Sequence, residues 1–411
     1  MKKINILGVN ISRLQKSQVL KKIEQFLVDD LPRLSEASKQ HQIVTVNPEF
    51  LLAAEHDEEF FYILNKADLA VPDGVGLKFT GWLMGKNIQR ITGADLVRNI
   101  LNIAQDKNLK VAIINWRDGL SKKEEIEKAL KDKYKDLESL IINIDRETGN
   151  WKLGAGNIVN FQPDILFVTL GAPWQEKFIF HNLTKLPSVK IAMGVGGSFD
   201  FITGKIKRAP KLVRIIGLEW LWRLFKQPWR WRRIYNAVIV FPCLFFKWRF
   251  IYPFLYRPNV VCLLYKKENN KYKILMVERS EEKGHWQLPQ GGIDNQSIQS
   301  AGMRELKEEL NNKKFKPVKV FKNLYKYKFG KREGESAIRA DQARKYTVNK
   351  GQKQNLFIAE FLGKNSDIKI NYWDHSAWKW VNREDLVDEV HDLRKEAVNI
   401  FLKKFNKIIM L

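Results

Sequence analysis

The stretch Ile165-Leu166-Phe167-Val168-Thr169-Leu170-Gly171-Ala172-Pro173-Trp174-Gln175-Glu176 decides how the chain folds. An apolar run is cut by a glycine-proline turn, and polar and aromatic residues then open the next segment. A short, continuous apolar run bounded by turn residues is the pattern of a strand buried on both faces. The pattern recurs at Ile43–Val46, Leu69–Val71, Val111–Ile114, Leu140–Ile144 and Ile191–Val195. Amphipathic helix candidates such as Ala94–Ala104 and Lys122–Lys133 lie between these runs. Alternating strands and helices predict a mostly parallel sheet with helices on both faces. In such sheets ligands bind beyond the carboxyl ends of the strands.

Those ends are polar and glycine-rich. Val46 leads to Asn47-Pro48-Glu49, and Pro72 to Asp73-Gly74-Val75-Gly76. Leu170 leads to Gly171 through Glu176, and Met193 to Gly194-Val195-Gly196-Gly197-Ser198-Phe199-Asp200. Turn chemistry explains each one alone. Four of them converging on one edge of a Rossmann-like sheet predict a site.

The chain has 411 residues, of which 45% are hydrophobic and 12% aromatic. That length calls for about two to three domains, and the composition excludes a disordered chain. Two cysteines, Cys243 and Cys262, exclude a disulfide framework and a cysteine-based zinc site. The net charge of +25 predicts an anionic partner: nucleic acid, an anionic membrane face or a phosphorylated substrate. Nearly half of that charge lies between Gly204 and Phe250, where twelve cations face one acid, Glu219. Trp220, Trp222, Trp229, Trp231 and Trp248 share this stretch. Arginine interleaved with tryptophan suits a membrane interface; nucleic-acid binding and simple docking on the core are the other readings. The N-terminus lacks the pattern of a signal peptide. No apolar run reaches the ~18–20 residues of a spanning helix; the closest, Ala237–Phe246, is interrupted by Pro242. The expected organisation is a core over 1–204, a basic appendage over 205–256 and a separate domain over 257–411.

The motifs of the first 250 residues resemble the WecG/TagA/CpsF family of glycosyltransferases. They are Thr45-Val-Asn47-Pro-Glu49, Pro72-Asp73-Gly74-Val-Gly76 and Arg90-Ile-Thr92-Gly93-Ala-Asp95-Leu96. Gly171 to Glu176, Gly194 to Asp200, Lys207-Arg208-Ala209-Pro210 and Leu218-Glu219-Trp220-Leu-Trp-Arg223-Leu follow in order. The resemblance implies inverting transfer of an N-acetylmannosamine-type sugar from a UDP donor to a lipid-diphosphate-linked sugar, without a metal. It implies work at the inner face of the cell membrane, the protein being cytoplasmic and peripheral. Inversion needs a base for the acceptor hydroxyl, and the resemblance assigns Asp73, with Thr45 beside it. Asn47 is expected on sugar hydroxyls, and Arg90 on a carboxylate or a diphosphate. Backbone N–H groups after Gly171 and Gly194–Gly197, with Gly196 and Gly197 among them, are expected to hold UDP at a helix N-terminus, in a pocket shaped by Gln175 and Glu176. Asp95, Arg208, Arg223, Arg230 and Arg233 complete the expected substrate contacts. One departure is Asn115-Trp116-Arg117-Asp118-Gly119, where the family has a Gly-Gly pair.

Residues 257–411 carry Trp286-Gln287-Leu288-Pro289-Gln290-Gly291-Gly292-Ile293 and then Arg304-Glu305-Leu306-Lys307-Glu308-Glu309-Leu310. This resembles the Nudix hydrolases, and their RNA pyrophosphohydrolase and dinucleoside-polyphosphate branch in particular. The implied fold is an α/β/α sandwich. Glu305, Glu308 and Glu309 share one helical face, and three adjacent carboxylates suit Mg²⁺ or Mn²⁺ bridging a nucleoside diphosphate derivative. Gln296 replaces the family's first motif glutamate, Asn311 replaces the glycine after the pair, and the intervening loop is one residue short. A nucleotide sensor without catalysis is therefore an alternative, as is an RNA-binding 5′-end pyrophosphohydrolase. The sequence leaves a homo-oligomer open.

Overall fold

The computed structural model describes residues 2–28, 40–146, 152–210, 212–213, 219–226, 228–280, 282–329 and 348–409. They form two compact units, the first ending at Lys247 and the second starting at Trp248.

The first unit opens with an antiparallel hairpin, β1 (Lys3–Ile6) and β2 (Val9–Ser12). Leu7 and Gly8 turn it with φ of 51° and 83°, the double positive φ of a two-residue hairpin turn. Helix α1 (Lys16–Val28) follows. The sheet strands are β3 (His41–Val46), β4 (Leu69–Pro72), β5 (Val111–Trp116), β6 (Ser139–Ile144), β7 (Ile165–Val168) and β8 (Ile191–Gly194). Their order is β4-β3-β8-β7-β5-β6, and every pairing is parallel. Between strands lie α2 (Pro48–His56), α3 (Glu58–Lys66), α4 (Val75–Leu83), α5 (Gly93–Asp106), α6 (Lys123–Lys133), α7 (Lys152–Phe161) and α8 (Trp174–Asn182). A short α9 (Ser198–Ile202) follows β8.

Alternate residues of each strand enter opposite cores. Ile43, Val71, Ile113, Phe167 and Ile191 pack with Ile23 of α1, Ile100 of α5 and Ile126 of α6. Ala112, Ile114, Leu166, Val168 and Ala192 pack with Ile158 of α7 and Ile179 of α8. Both faces are covered, as continuous apolar strands require. Strand β5 runs two residues past the expected Ile114, because Asn115 and Trp116 still pair with Asn143 and Ile144 of β6.

The basic appendage is helical. After α10 (Glu219–Lys226), a 27-residue run over Pro228–Phe254 is long and apolar enough to cross a membrane by length and composition, its most apolar 18-residue window having a mean hydropathy of 1.4. This corrects the expectation that Pro242 breaks the run. Pro242 sits in the first turn of an α-helical segment, Phe241–Phe246, that follows a π-helical segment, Asn236–Val240. The run continues past the proline because the change from π- to α-helical backbone falls just before it, which accommodates the missing N–H inside the helix. Phe241 and Phe245 are buried, whereas Trp229, Trp231, Tyr235 and Phe246 are exposed.

The second unit is a seven-stranded mixed sheet. Strands β9 (Tyr256–Glu268), β10 (Lys271–Arg279), β11 (Trp286–Gln287), β13 (Phe315–Lys328) and β14 (Gly351–Phe361) stand in the order β11-β10-β9-β14-β13. Strand β12 (Gln290–Gly292) also pairs with β9, and β15 (His375–Asn382) with β10. Helix α11 (Ile298–Leu310) covers one face through Ala301, Leu306 and Leu310 against Val260, Cys262 and Phe357. Helix α12 (Asp392–Ile409) covers the other through Val398, Phe401 and Phe405 against Val261, Leu263 and Ile358. The result is an α/β/α sandwich. Ser297 caps α11 by accepting the Ser300 N–H at 3.1 Å. Asn311 closes the helix in the left-handed region, φ 47°, a conformation asparagine tolerates nearly as glycine does. The replacement of the motif glycine by Asn311 therefore leaves the helix end intact.

Candidate functional site

In the first unit the candidate residues gather at the carboxyl ends of β3, β4 and β8. Asp73 follows β4 directly. Its backbone N–H is held by the Val46 carbonyl of β3 at 2.7 Å, and its Oδ2 accepts the Gly93 N–H at 3.1 Å. A side chain on Gly93 would meet Thr45 Oγ1 at 3.4 Å and Asp73 Oδ2 at 3.8 Å, so Thr45, Asp73 and Gly93 surround one small space. Arg90 stands 3.9 Å from Asp73 Oδ1 and donates to Glu219 Oε2 of α10 at 2.8 Å.

Next to this group, Thr92 caps α5 and donates to Asp95 Oδ2 at 2.6 Å. Arg208 pairs with Asp95 and donates to Thr92 Oγ1 at 3.2 Å. Burial alone would raise the Asp95 pKa, but the Arg208 and Thr92 hydrogen bonds outweigh it and hold the carboxylate at about 2. Asp95 and Arg208 thus bind each other beside the site.

Several of the expected site residues also make intramolecular contacts. Asn47 Oδ1 accepts the Phe50 N–H at 3.1 Å and caps α2. The backbone N–H groups of Gly171 and Gly196 both donate to Gln175 Oε1, at 3.1 and 2.9 Å. Gly197 is the N-cap of the five-residue α9. Gln175 Nε2 donates to Glu176 Oε1 at 2.7 Å, and Glu176 is fully buried. It holds Gln175, which ties the loop after β7 to the loop after β8. A side chain on Gly194 would lie 2.5 Å from Glu176 and 2.6 Å from Gln175, which is why that position is glycine.

The appendage reaches the same edge. Arg233 forks onto the Glu49 carboxylate, with Nε 2.8 and 3.0 Å from its two oxygens. Arg230 acts electrostatically on Asp200, whose pKa burial raises against the opposing Ser121 hydrogen bond and Arg230 charge. Arg223 lies on α10, and its side chain is outside the described residues. One residue missed in the sequence is Arg146, after β6. Its guanidinium stacks over Trp116 at 3.9 Å, and it lies 3.2 Å from where a Gly171 side chain would begin. The Trp116 that departs from the family pattern was the available signal. Asn115 of the same tract is buried and donates to Asn143 Oδ1 at 3.0 Å.

In the second unit Glu305 and Glu309 are buried and Glu308 is half-exposed. A side chain on Gly291 would fall 1.9 Å from the Glu305 carboxyl, so the Gly-Gly tract makes room for that carboxylate. Glu309 Oε1 accepts the Gln290 N–H at 3.2 Å. Its Oε2 is buried outside hydrogen-bond alignment, 3.1 Å from His375 Nε2. Burial lowers the His375 pKa, but the attraction of Glu309 more than offsets it, and the net shift is upward. Arg304 lies 2.9, 3.2 and 3.2 Å from Glu305, Glu308 and Asp294. It also donates to the Gly292 carbonyl at 2.6 Å and to Gln296 Oε1 at 3.1 Å. Gln296 thus keeps a bond to the motif arginine without a charge. Oxygen donors on one helical face, with one buried carboxylate oxygen lacking a donor, fit a hard divalent cation.

Burial raises the Glu176 pKa to about 8, against the opposing Gln175 hydrogen bond, from an ordinary value of 4.5. Between those values the folded chain holds a proton that the unfolded chain has lost, so stability falls as pH rises. The contribution is complete below pH 4.5 and is lost as pH passes about 8. Glu176→Gln keeps the amide contact and cannot titrate. We expect it to gain on wild type by on the order of a few kcal/mol between pH 5 and pH 8 in unfolding measurements. Parallel pH profiles would contradict a buried, protonated Glu176.

Two family models match the chain. The glycosyl transferase WecG/TagA/CpsF family matches residues 4–253, and the NUDIX domain matches residues 255–402. The chain is 34% identical over 193 residues to an N-acetylglucosaminyldiphosphoundecaprenol N-acetyl-beta-D-mannosaminyltransferase of Bacillus subtilis (strain 168), covering 47% of this chain and 74% of that one. It is also 34% identical over 158 residues to an RNA pyrophosphohydrolase of Wolbachia pipientis subsp. Culex pipiens (strain wPip), covering 38% of this chain and 91% of that one. Among solved structures, a C. elegans Ap4A hydrolase binary complex aligns with 37% of this chain and 98% of its own at 19% identity, with a TM-score of 0.27. The protein is an enzyme of two kinds in one chain: it belongs to the glycosyl transferase WecG/TagA/CpsF family and carries a C-terminal NUDIX domain.

Proposed function

We propose that the first unit transfers an N-acetylhexosamine, of the N-acetylmannosamine type, from a UDP donor to a sugar carried on a lipid diphosphate, with inversion. The observation that carries this reading is the setting of Asp73. Its carboxylate is fixed by the Gly93 N–H and Arg90 at the edge where ligands of parallel sheets bind. In the proposed step Asp73 takes the proton of the acceptor hydroxyl as that oxygen bonds to the anomeric carbon, and UDP leaves from the opposite side. Thr45 orients the hydroxyl. Gln175 shapes the donor pocket, while Trp116 and Arg146 extend the same strand edge and offer a ring and a cation to the nucleotide. The name of the Bacillus relative, with its lipid-diphosphate acceptor, supports the acceptor class. The exposed Trp229, Trp231 and Phe246 of the appendage, among its cations, support attachment to the inner, anionic membrane face.

In the second unit the reading is metal-dependent hydrolysis of a nucleoside diphosphate linkage, in an RNA 5′ end or a nucleoside polyphosphate. Glu305, Glu308 and Glu309 would hold Mg²⁺ or Mn²⁺, which supplies charge neutralisation at the phosphates and a more acidic water. Arg304 orients Glu305 and Glu308, Gly291 leaves room for Glu305, and Gln290 fixes Glu309.

Asp73→Asn keeps size and removes the proton acceptor. Transfer to a lipid-linked acceptor is expected to fall by about 10²-fold or more with donor affinity retained; near-normal turnover would place the base elsewhere. Glu308→Gln combined with Glu309→Gln, in the full chain, is expected to abolish metal-dependent phosphate release from 5′-triphosphorylated RNA or a dinucleoside polyphosphate while leaving sugar transfer intact. If wild type and variant both release nothing with metal present, the second unit is a binding domain.

A further inference from the structure

Helix α4 starts two residues after Asp73 and carries a surface that sugar transfer as described leaves unused. Phe79, Trp82 and Leu83 are 53%, 69% and 43% exposed. The Phe79 and Trp82 rings lie 5.8 Å apart. With Val75, Lys78 and Lys86 they line a groove of about 640 Å³. No acidic residue lines it. The inner side of α4 is committed elsewhere: Leu77 and Thr80 are buried, and a side chain on Gly76 would meet Phe241 of the appendage at 3.5 Å. Among the described residues, the two rings thus remain largely exposed in their own unit.

Aromatic rings beside two lysines fit an amphiphile with an anionic head. Resting on the transfer reading above, we propose that this groove binds the isoprenoid diphosphate of the lipid-linked acceptor. The order of groups along α4 carries the assignment. At 1.5 Å per residue, Lys78 lies about 6 Å beyond Gly74 and Trp82 about 12 Å beyond it. An acceptor whose sugar hydroxyl meets Asp73 presents its diphosphate about one sugar ring further on, and then its lipid chain. Base, cation and aromatic pair follow one another in that same sequence. A flat bilayer would not require a recessed groove, nor a lysine, Lys78, at its sugar-proximal end.

The test is direct binding, without donor, of a farnesyl-diphosphate-linked N-acetylglucosamine to the full chain in detergent, followed by calorimetry. Phe79→Ala with Trp82→Ala is expected to weaken binding about tenfold or more. The pair should leave the affinity for a methyl-diphosphate-linked analogue unchanged. Lys78→Ala with Lys86→Ala is expected to weaken both ligands, and UDP binding should persist in every variant. All four side chains line an open groove, and matching circular dichroism and melting curves exclude misfolding as the cause. Unchanged farnesyl-ligand affinity in both double variants overturns the proposal. Unchanged affinity with lost binding to phosphatidylglycerol vesicles would show a bilayer contact instead, and unchanged affinity with a lighter species in sedimentation would show a contact between copies. Because binding is read without donor, normal binding with no sugar transfer would count against the transfer reading and leave the groove assignment standing.

Discussion

Arg90 joins the parts of the first unit on which the proposed chemistry depends. One guanidinium reaches Glu219 of the appendage at 2.8 Å and stands 3.9 Å from Asp73 at the end of β4. Glu219 is the single acid in a basic stretch and is almost fully buried. A buried carboxylate without a partner costs several kcal/mol, so the position of α10 is coupled to that of Arg90, and through Arg90 to the Asp73 loop. Arg233 on Glu49 and the charge of Arg230 on Asp200 repeat the arrangement after β3 and β8. The appendage is therefore held against the strand ends by the Arg90–Glu219 and Arg233–Glu49 ion pairs, with the charge of Arg230 felt at Asp200.

A second constraint acts across the sheet edge. Gln175 accepts two backbone N–H groups from separate loops with one oxygen and gives its amide to Glu176. The pair fixes the spacing of the β7 and β8 loops without a free backbone donor at Gly171 or Gly196. In the proposed transfer, side chains above these loops remain available to the donor. Arg146 over Trp116 occupies that position beside Gly171.

The parallel sheet was legible because strands buried on both faces are written as continuous apolar runs, and the site motifs because turn residues follow those runs. The Nudix helix was legible from three carboxylates at helical spacing after a Gly-Gly tract. The uses of individual polar groups were not. Whether Gln175 meets a ligand or the Gly196 N–H depends on a loop 21 residues away, and the Arg233–Glu49 pair spans 184 residues. Spacing within a motif carries no information about such partners. Pro242 misled for a local reason: it lies inside a helical run, and π-helical backbone just before it accommodates the missing N–H.

The central claim is that this edge moves a sugar from UDP to a lipid-linked acceptor using protein side chains. The most direct measurement incubates the full-length chain with a panel of UDP-N-acetylhexosamines and an isoprenyl-diphosphate-linked N-acetylglucosamine, with a chelator present so that the NUDIX domain is silent. The account predicts a disaccharide of inverted anomeric configuration from at least one donor, with release of UDP. UDP release without a glycosylated acceptor, or transfer with retained configuration, would contradict it.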